Sequence, residues 1–170
     1  TLRAMNNLAS TLKARGDLEG AQRYQERVLE TRTRILGPEH PDTLTSMNNL
    51  AQTLFARGDL AGAQTHQEQV LETRTRTLGP EHPETLRAMN NLASTLKARG
   101  DLAGAQTYQE RVLEAMTRTL GPEHPDTLTA MNNLAQTLKA RGDLAGALKL
   151  QERLLETSTR TLGRGCVKTR

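Results

Sequence analysis

The sequence predicts an all-α fold, a right-handed α-solenoid of four 42-residue helix-turn-helix repeats. Three observations carry that prediction. Leu2, Leu44, Leu86 and Leu128 are each separated by 42 residues, and so are Met5, Met47, Met89 and Met131, and Gly16, Gly58, Gly100 and Gly142. A fixed period in this range is the mark of a stacked array. Within each period the apolar residues follow helical spacing rather than strict alternation. Aromatic residues make up only 2% of the chain, so the core must be built from Leu, Ala, Met and Val, which suits helix packing and argues against a β-sandwich or barrel.

Four periods account for 168 of the 170 residues, leaving almost nothing for a separate catalytic domain. The repeats run over residues 1–40, 41–82, 83–124 and 125–163, forming one solenoid domain from 1 to 163, with a C-terminal tail at 164–170. Repeats one and three share Arg3/Arg87 and Ser10/Ser94, where two and four share Thr45/Thr129 and Gln52/Gln136. This points to duplication of an 84-residue pair. Copies made that way stay alike without selection, so identity between them says nothing about function.

The repeat from Pro41 shows how each element is specified. Pro41 suits a first helical position, because its missing N–H would be unpaired there anyway. Asp42, Glu84 and Asp126 fall in first turns, where an acid favours the positive end of the helix dipole. Leu44, Met47, Leu50, Ala51 and Leu54 form one apolar stripe. Gly58 ends the helix as a left-handed residue, and Asp59 caps the next. The second helix is expected to bury Leu60, Ala63, His66, Val70, Leu71 and Leu78, His66 replacing Tyr24 and Tyr108 as a packing residue. Gly79 and Pro80 stop it. Neither helix can bury its stripe alone, but stacked pairs close a continuous core. First helices then line a concave side and second helices lie outside.

Asn48-Asn49-Leu50-Ala51, the turn Arg57-Gly58-Asp59, Ala63, Val70-Leu71-Glu72 and Leu78-Gly79-Pro80-Glu81-His82-Pro83 together resemble the tetratricopeptide repeat, in the 42-residue form of kinesin light chains. The resemblance covers essentially the whole chain. It departs at Gln67, where that family usually places a large apolar residue, in the scarcity of Tyr, and after Leu162, where Gly-Arg-Gly-Cys replaces Gly-Pro-Glu-His.

With Met47, Leu50, Ala51 and Leu54 at the core, Asn48 lies roughly 110° and Asn49 about 150° from the core direction. The groove arc therefore carries Arg3, Asn6, Asn7 and Lys13, then Asn48, Asn49 and Phe55, then Arg87, Asn90, Asn91 and Lys97, then Asn132, Asn133 and Lys139. Asparagine amides donate and accept, so a ladder of them can hold an extended peptide backbone. The resemblance implies this role for Asn7, Asn49, Asn91 and Asn133. The five bases on the arc, with no acid among them, would complement an acidic peptide or a free carboxylate. The competing reading has the asparagines bonding neighbouring helices and the bases forming a solvated face. Phe55, alone in a lysine column, is either an anchor for an apolar side chain or tolerated drift.

Other chemistry finds little support. The net charge of +4, from 23 bases and 19 acids, is modest. His40, His82 and His124 recur once per repeat, at least a helix diameter apart, which excludes a shared metal and suits a role at the start of each first helix. No Ser/His/Asp or Cys/His group unique to one repeat exists, so no enzyme, metal or cofactor is expected. Gly163 to Thr169 faintly echoes a phosphate loop without its second glycine and reads as a frayed end. RNA binding is the lesser alternative, disfavoured by the repeat length and the lack of stacking aromatics. One cysteine permits no internal disulfide, and no stretch approaches the ~20 apolar residues of a membrane span, so a cytoplasmic setting is expected. The expected role is a non-enzymatic scaffold binding a protein or peptide. A further alternative is a self-associating or sensor module of a larger signalling protein. Leu148, Leu150 and Leu154 give the last helix an apolar side suited to end-to-end association or to further repeats.

Overall fold

The computed structural model describes the backbone of residues 1–167 and the side chains of residues 1–160. Among the described residues there are eight helices and no strand. They are α1 (Leu2–Ala14), α2 (Leu18–Leu36), α3 (Pro41–Arg57), α4 (Leu60–Leu78), α5 (Pro83–Ala98), α6 (Leu102–Thr119), α7 (Pro125–Arg141) and α8 (Leu144–Val167). This is an all-α repeat solenoid with two helices to each repeat. The chain divides into two compact units, residues 1–95 and 96–170. In the first, α1 packs on α2, α2 on α3 and α3 on α4; in the second, α6 packs on α7 and α7 on α8.

Every helix start after α1 is fixed by a side chain. His40 is the N-cap of α3, its Nδ1 accepting from Asp42 N–H at 3.1 Å, and Pro41 follows in the first turn. His82 and His124 do the same for Glu84 and Asp126, both at 3.2 Å. The repeated histidines thus satisfy one of the free N–H groups that every helix start leaves. Asp59 caps α4 by accepting from Gly62 N–H at 2.9 Å. A Cβ at position 62 would lie 2.5 Å from Asp59 Oδ2, so glycine in this first turn keeps room for the cap. Between the two helices Gly58 takes φ +84°, and Asp59 N–H donates to Leu54 C=O at 2.9 Å, the left-handed ending that favours glycine.

The core is wider than the sequence stripe. Leu44, Leu50, Ala51 and Leu54 are buried as expected, but so are Thr43, Ser46, Thr53 and Asn48, while Met47 is only half-buried. A first helix inside an array is covered by second helices from two repeats, so its buried arc exceeds one stripe. Ser46 fits there because its hydroxyl donates back to Asp42 C=O at 3.0 Å. On α4, Ala63, Val70 and Leu71 are buried, joined by Gln67 and Arg74, which were not expected inside. Leu78 was expected to be buried and is exposed, as are Leu36 and Leu120 at the same position. Each lies at or just beyond the end of a second helix, where the chain turns into the inter-repeat loop.

His66 is half-buried, and its Nδ1 has no hydrogen-bond partner. Burial pushes its pKa below the ordinary value, against weaker opposing pulls from Glu26 and Asp59. The folded state therefore binds this proton less readily than the unfolded state does. Stability should fall as pH drops below about 6.5, where unfolded histidine takes up its proton. His66→Tyr, matching Tyr24 and Tyr108, should flatten that part of a stability profile measured by urea melts across pH. An identical profile in the two proteins would rule the effect out.

Helix α8 continues to Val167, through Gly163. Proline follows the glycine at each earlier repeat end, and here Arg164 replaces it, so the bar to helix continuation is gone. Of the tail expected at 164–170, the Cys166 side chain and residues 168–170 lie outside the described residues.

Candidate functional site

In the first compact unit the inner faces of α1, α3 and α5 enclose two adjoining hollows. One, of about 300 Å³, is lined by Lys13 from α1, Gln52, Phe55 and Ala56 from α3, Gln67 from α4, and Asn91, Ser94 and Thr95 from α5. The other, of about 120 Å³, is lined by Asn6, Ser10 and Lys13, Asn49 and Gln52, and Gln25 from α2. Lys13 and Gln52 belong to both. No carboxylate lines either hollow.

The helices hold these groups by the stacking that buries their opposite faces. Asn49, Gln52 and Phe55 recur three residues apart and so share one face of α3, half-buried at Asn49 and exposed at Gln52 and Phe55. Phe55 is 38% exposed and, with Ala56, gives the larger hollow an apolar patch.

The predicted groove residues fall into distinct surroundings. Asn6, Lys13, Asn49, Phe55 and Asn91 line the hollows, whereas Asn7 is exposed and lines neither. Asn48 is 8% exposed, behind the groove surface, and its Oδ1 accepts from Asn91 Nδ2 at 2.9 Å. That bond joins α3 to α5, so at this pair an asparagine does bond a neighbouring helix. Asn90, Asn132 and Asn133 are half-buried, and Asn90 and Asn133 already have partners. In the second unit Lys97 Nζ donates to Gln136 Oε1 at 3.4 Å, and Lys139 is exposed. Arg3 is exposed. Arg87 pairs with Glu84 at 2.5 Å, sharing that carboxylate with Arg74.

Thr95 of α5 and two residues of the second helices escaped the sequence reading. Gln25 and Gln67 reach the hollows from the second helices, are buried, and leave Oε1 without a hydrogen-bond partner. Gln109, at the same repeat position, is also buried with Oε1 unpartnered. The signal was the amide standing at Gln67 where an apolar residue was expected. Among the described residues no cluster of three His, Cys, Asp or Glu side chains could hold a metal ion, and no helix is long and apolar enough to cross a membrane.

A tetratricopeptide repeat family model matches residues 1–74, 47–114 and 88–160, overlapping spans that cover the array. The chain belongs to the tetratricopeptide repeat family. Such repeats generally mediate protein–protein interaction. A solved structure of a protein from Podosopora anserina, described as a kinesin light chain with nearly identical TPR-like repeats, is 31% identical, with a TM-score of 0.86 over 94% of this chain and 76% of that one. A glutamine-to-methionine variant of that protein gives 0.88 at 31% identity, over 95% and 76%. BtubC (BKLC) from P. vanneervenii has the same fold, with a TM-score of 0.85 at 23% identity over 95% of this chain and 65% of that one. No curated protein matches the sequence. This tetratricopeptide array is therefore kinesin-light-chain-like in its repeats.

Proposed function

We propose that this array is a non-enzymatic scaffold whose inner face holds an extended, acidic peptide segment. The observation that carries the reading is Lys13, shared by two adjoining hollows whose other lining is amides and hydroxyls with Phe55 and Ala56, and no carboxylate. An extended backbone laid along them would meet Asn6, Asn49, Gln52 and Asn91, each able to donate and accept. Lys13 would meet a peptide carboxylate, with Arg3 adding positive charge nearby. Phe55 and Ala56 would take an apolar side chain, since buried aromatic anchors dominate peptide recognition. The lone Asn amides of the ladder read backbone, so sequence preference would come from Lys13 and Phe55.

The test is calorimetry with an acidic hit from a random peptide library. Asn49→Ala should weaken binding about tenfold, the worth of a lost hydrogen bond together with an unmet partner. Lys13→Glu should weaken it further and reverse the salt dependence of what remains. Unchanged affinity in both variants would remove the groove from the account.

A further inference from the structure

We propose that the first compact unit carries a second docking site, separate from the groove, that takes an arginine side chain presented by a protein partner. The proposal is independent of the groove reading and shares no lining residue with it.

A hollow of about 220 Å³ lies between α3, α4 and the loop that leads into α3. Pro38 of the loop and Leu44 and Met47 of α3 give it an apolar wall. Its polar lining is Glu39 of the loop with Gln69, Glu72 and Thr73 of α4. Two carboxylates and no base line it, the reverse of the hollows around Lys13.

One position in this lining is peculiar to the second repeat. Gln69 stands where Arg27, Arg111 and Arg153 stand at 42-residue steps, each of them three residues before a glutamate, Glu30, Glu114 or Glu156. Residues three apart are neighbours on a helix surface. Those glutamates therefore have a base one turn before them, whereas Glu72 has a neutral amide. Arg76, one turn after Glu72, is paired with Glu39. Glu72 is exposed and has no ion pair among the described residues. The apolar wall differs as well. Met89 and Met131 are 2% and 1% exposed, but Met47, at the same repeat position, is only half-buried.

The hollow thus sets an uncovered thioether beside a carboxylate that lacks a counter-charge. Arginine answers both. Its aliphatic stem can lie on Pro38, Leu44 and Met47 while the head stays at the rim. Its planar guanidinium can meet the Glu72 carboxylate with paired N–H bonds, a geometry that the compact lysine ammonium does not match. Gln69 Oε1 and Thr73 Oγ1 can accept from the N–H groups left over. In effect the partner would supply at this place the arginine that the other three repeats carry themselves.

NMR of the chain labelled in its methionine methyls and side-chain amides tests the idea, with acetyl-Gly-Arg-Gly-amide as the probe, titrated up to about 50 mM to reach weak binding. The Met47 methyl and the Gln69 amide should move along a saturating curve while the Met89 and Met131 methyls stay still. The same peptide with lysine should bind more weakly, and with norleucine it should leave Met47 unmoved. Glu72→Gln and Gln69→Arg alter exposed side chains and should keep the helical circular-dichroism signal. The first should weaken binding about tenfold or more, as expected for loss of a charge partner. The second should abolish it by installing the arginine of the other repeats. An unresponsive Met47, a lysine or norleucine peptide that binds as tightly, or undiminished binding in either variant would each overturn the proposal. So would movement of the Asn49 and Asn91 amides in place of Met47, which would put the arginine in the groove.

Discussion

Leu50→Ala should destabilise the chain by about 3 kcal/mol, while Leu8→Ala at the same repeat position should cost less than about 1 kcal/mol. Leu50 is 3% exposed and clusters with Leu54 and Ala63 under Leu29 of the preceding repeat. Truncating it removes buried methyl groups and leaves a cavity that rigid helices on both sides cannot fill. Leu8 has nearly the same sequence surroundings but is 41% exposed. Urea melts of both variants in dilute solution measure the difference. Equal losses would mean that stacking between repeats does not supply the core, because intrinsic helix propensity is the same at the two sites.

Arg74→Ala should cost about as much, about 3 kcal/mol, although it removes a charged residue from the last part of a helix. The Arg74 guanidinium is buried between α4 and α5, where Nη1 donates to Glu84 C=O at 3.1 Å and Nη2 meets Glu84 Oε2 at 2.9 Å. Arg32 makes the matching clamp one repeat earlier, donating to Asp42 C=O at 2.9 Å and to Ser46 Oγ at 2.8 Å. Alanine would leave the Glu84 carboxylate with Arg87 alone and open a void between two helices. Arg74→Met should restore roughly half of the loss or more, since a well-packed apolar chain can replace a buried ion pair. Met116 occupies this position in the third repeat. Thermal melts of the two variants decide the matter: equal damage from alanine and methionine would make the hydrogen bonds, and not the filling of space, the stabilising part.

The helices and their ends were legible in the sequence because glycine, proline and aspartate act locally. Gly58 needs a left-handed backbone, Pro41 can stand only in a first turn, and Asp59 reaches its own helix start. Burial was less legible where it depends on neighbours in space. Thr43, Thr53 and Asn48 look like surface residues in one helix, and they become interior only when second helices from two repeats close over the same arc. Gln67 stood out only as a departure from the family pattern, and Arg74 drew no notice, for the same reason. The groove was legible as an arc of asparagines and bases. The bond that ties Asn91 to Asn48 and the glutamines entering from the second helices depend on distances between helices that no single-helix projection contains.

The most direct measurement of the peptide-groove account is an NMR titration of the labelled chain with an acidic library peptide. The account predicts chemical-shift changes in the side-chain amides of Asn49, Gln52 and Asn91 and in the backbone around Lys13 and Phe55. It predicts none along the outward positions of α2 and α4, such as Arg23 and Glu68. Changes confined to those outward positions, with the Asn49 and Asn91 amides unmoved at saturation, would contradict it.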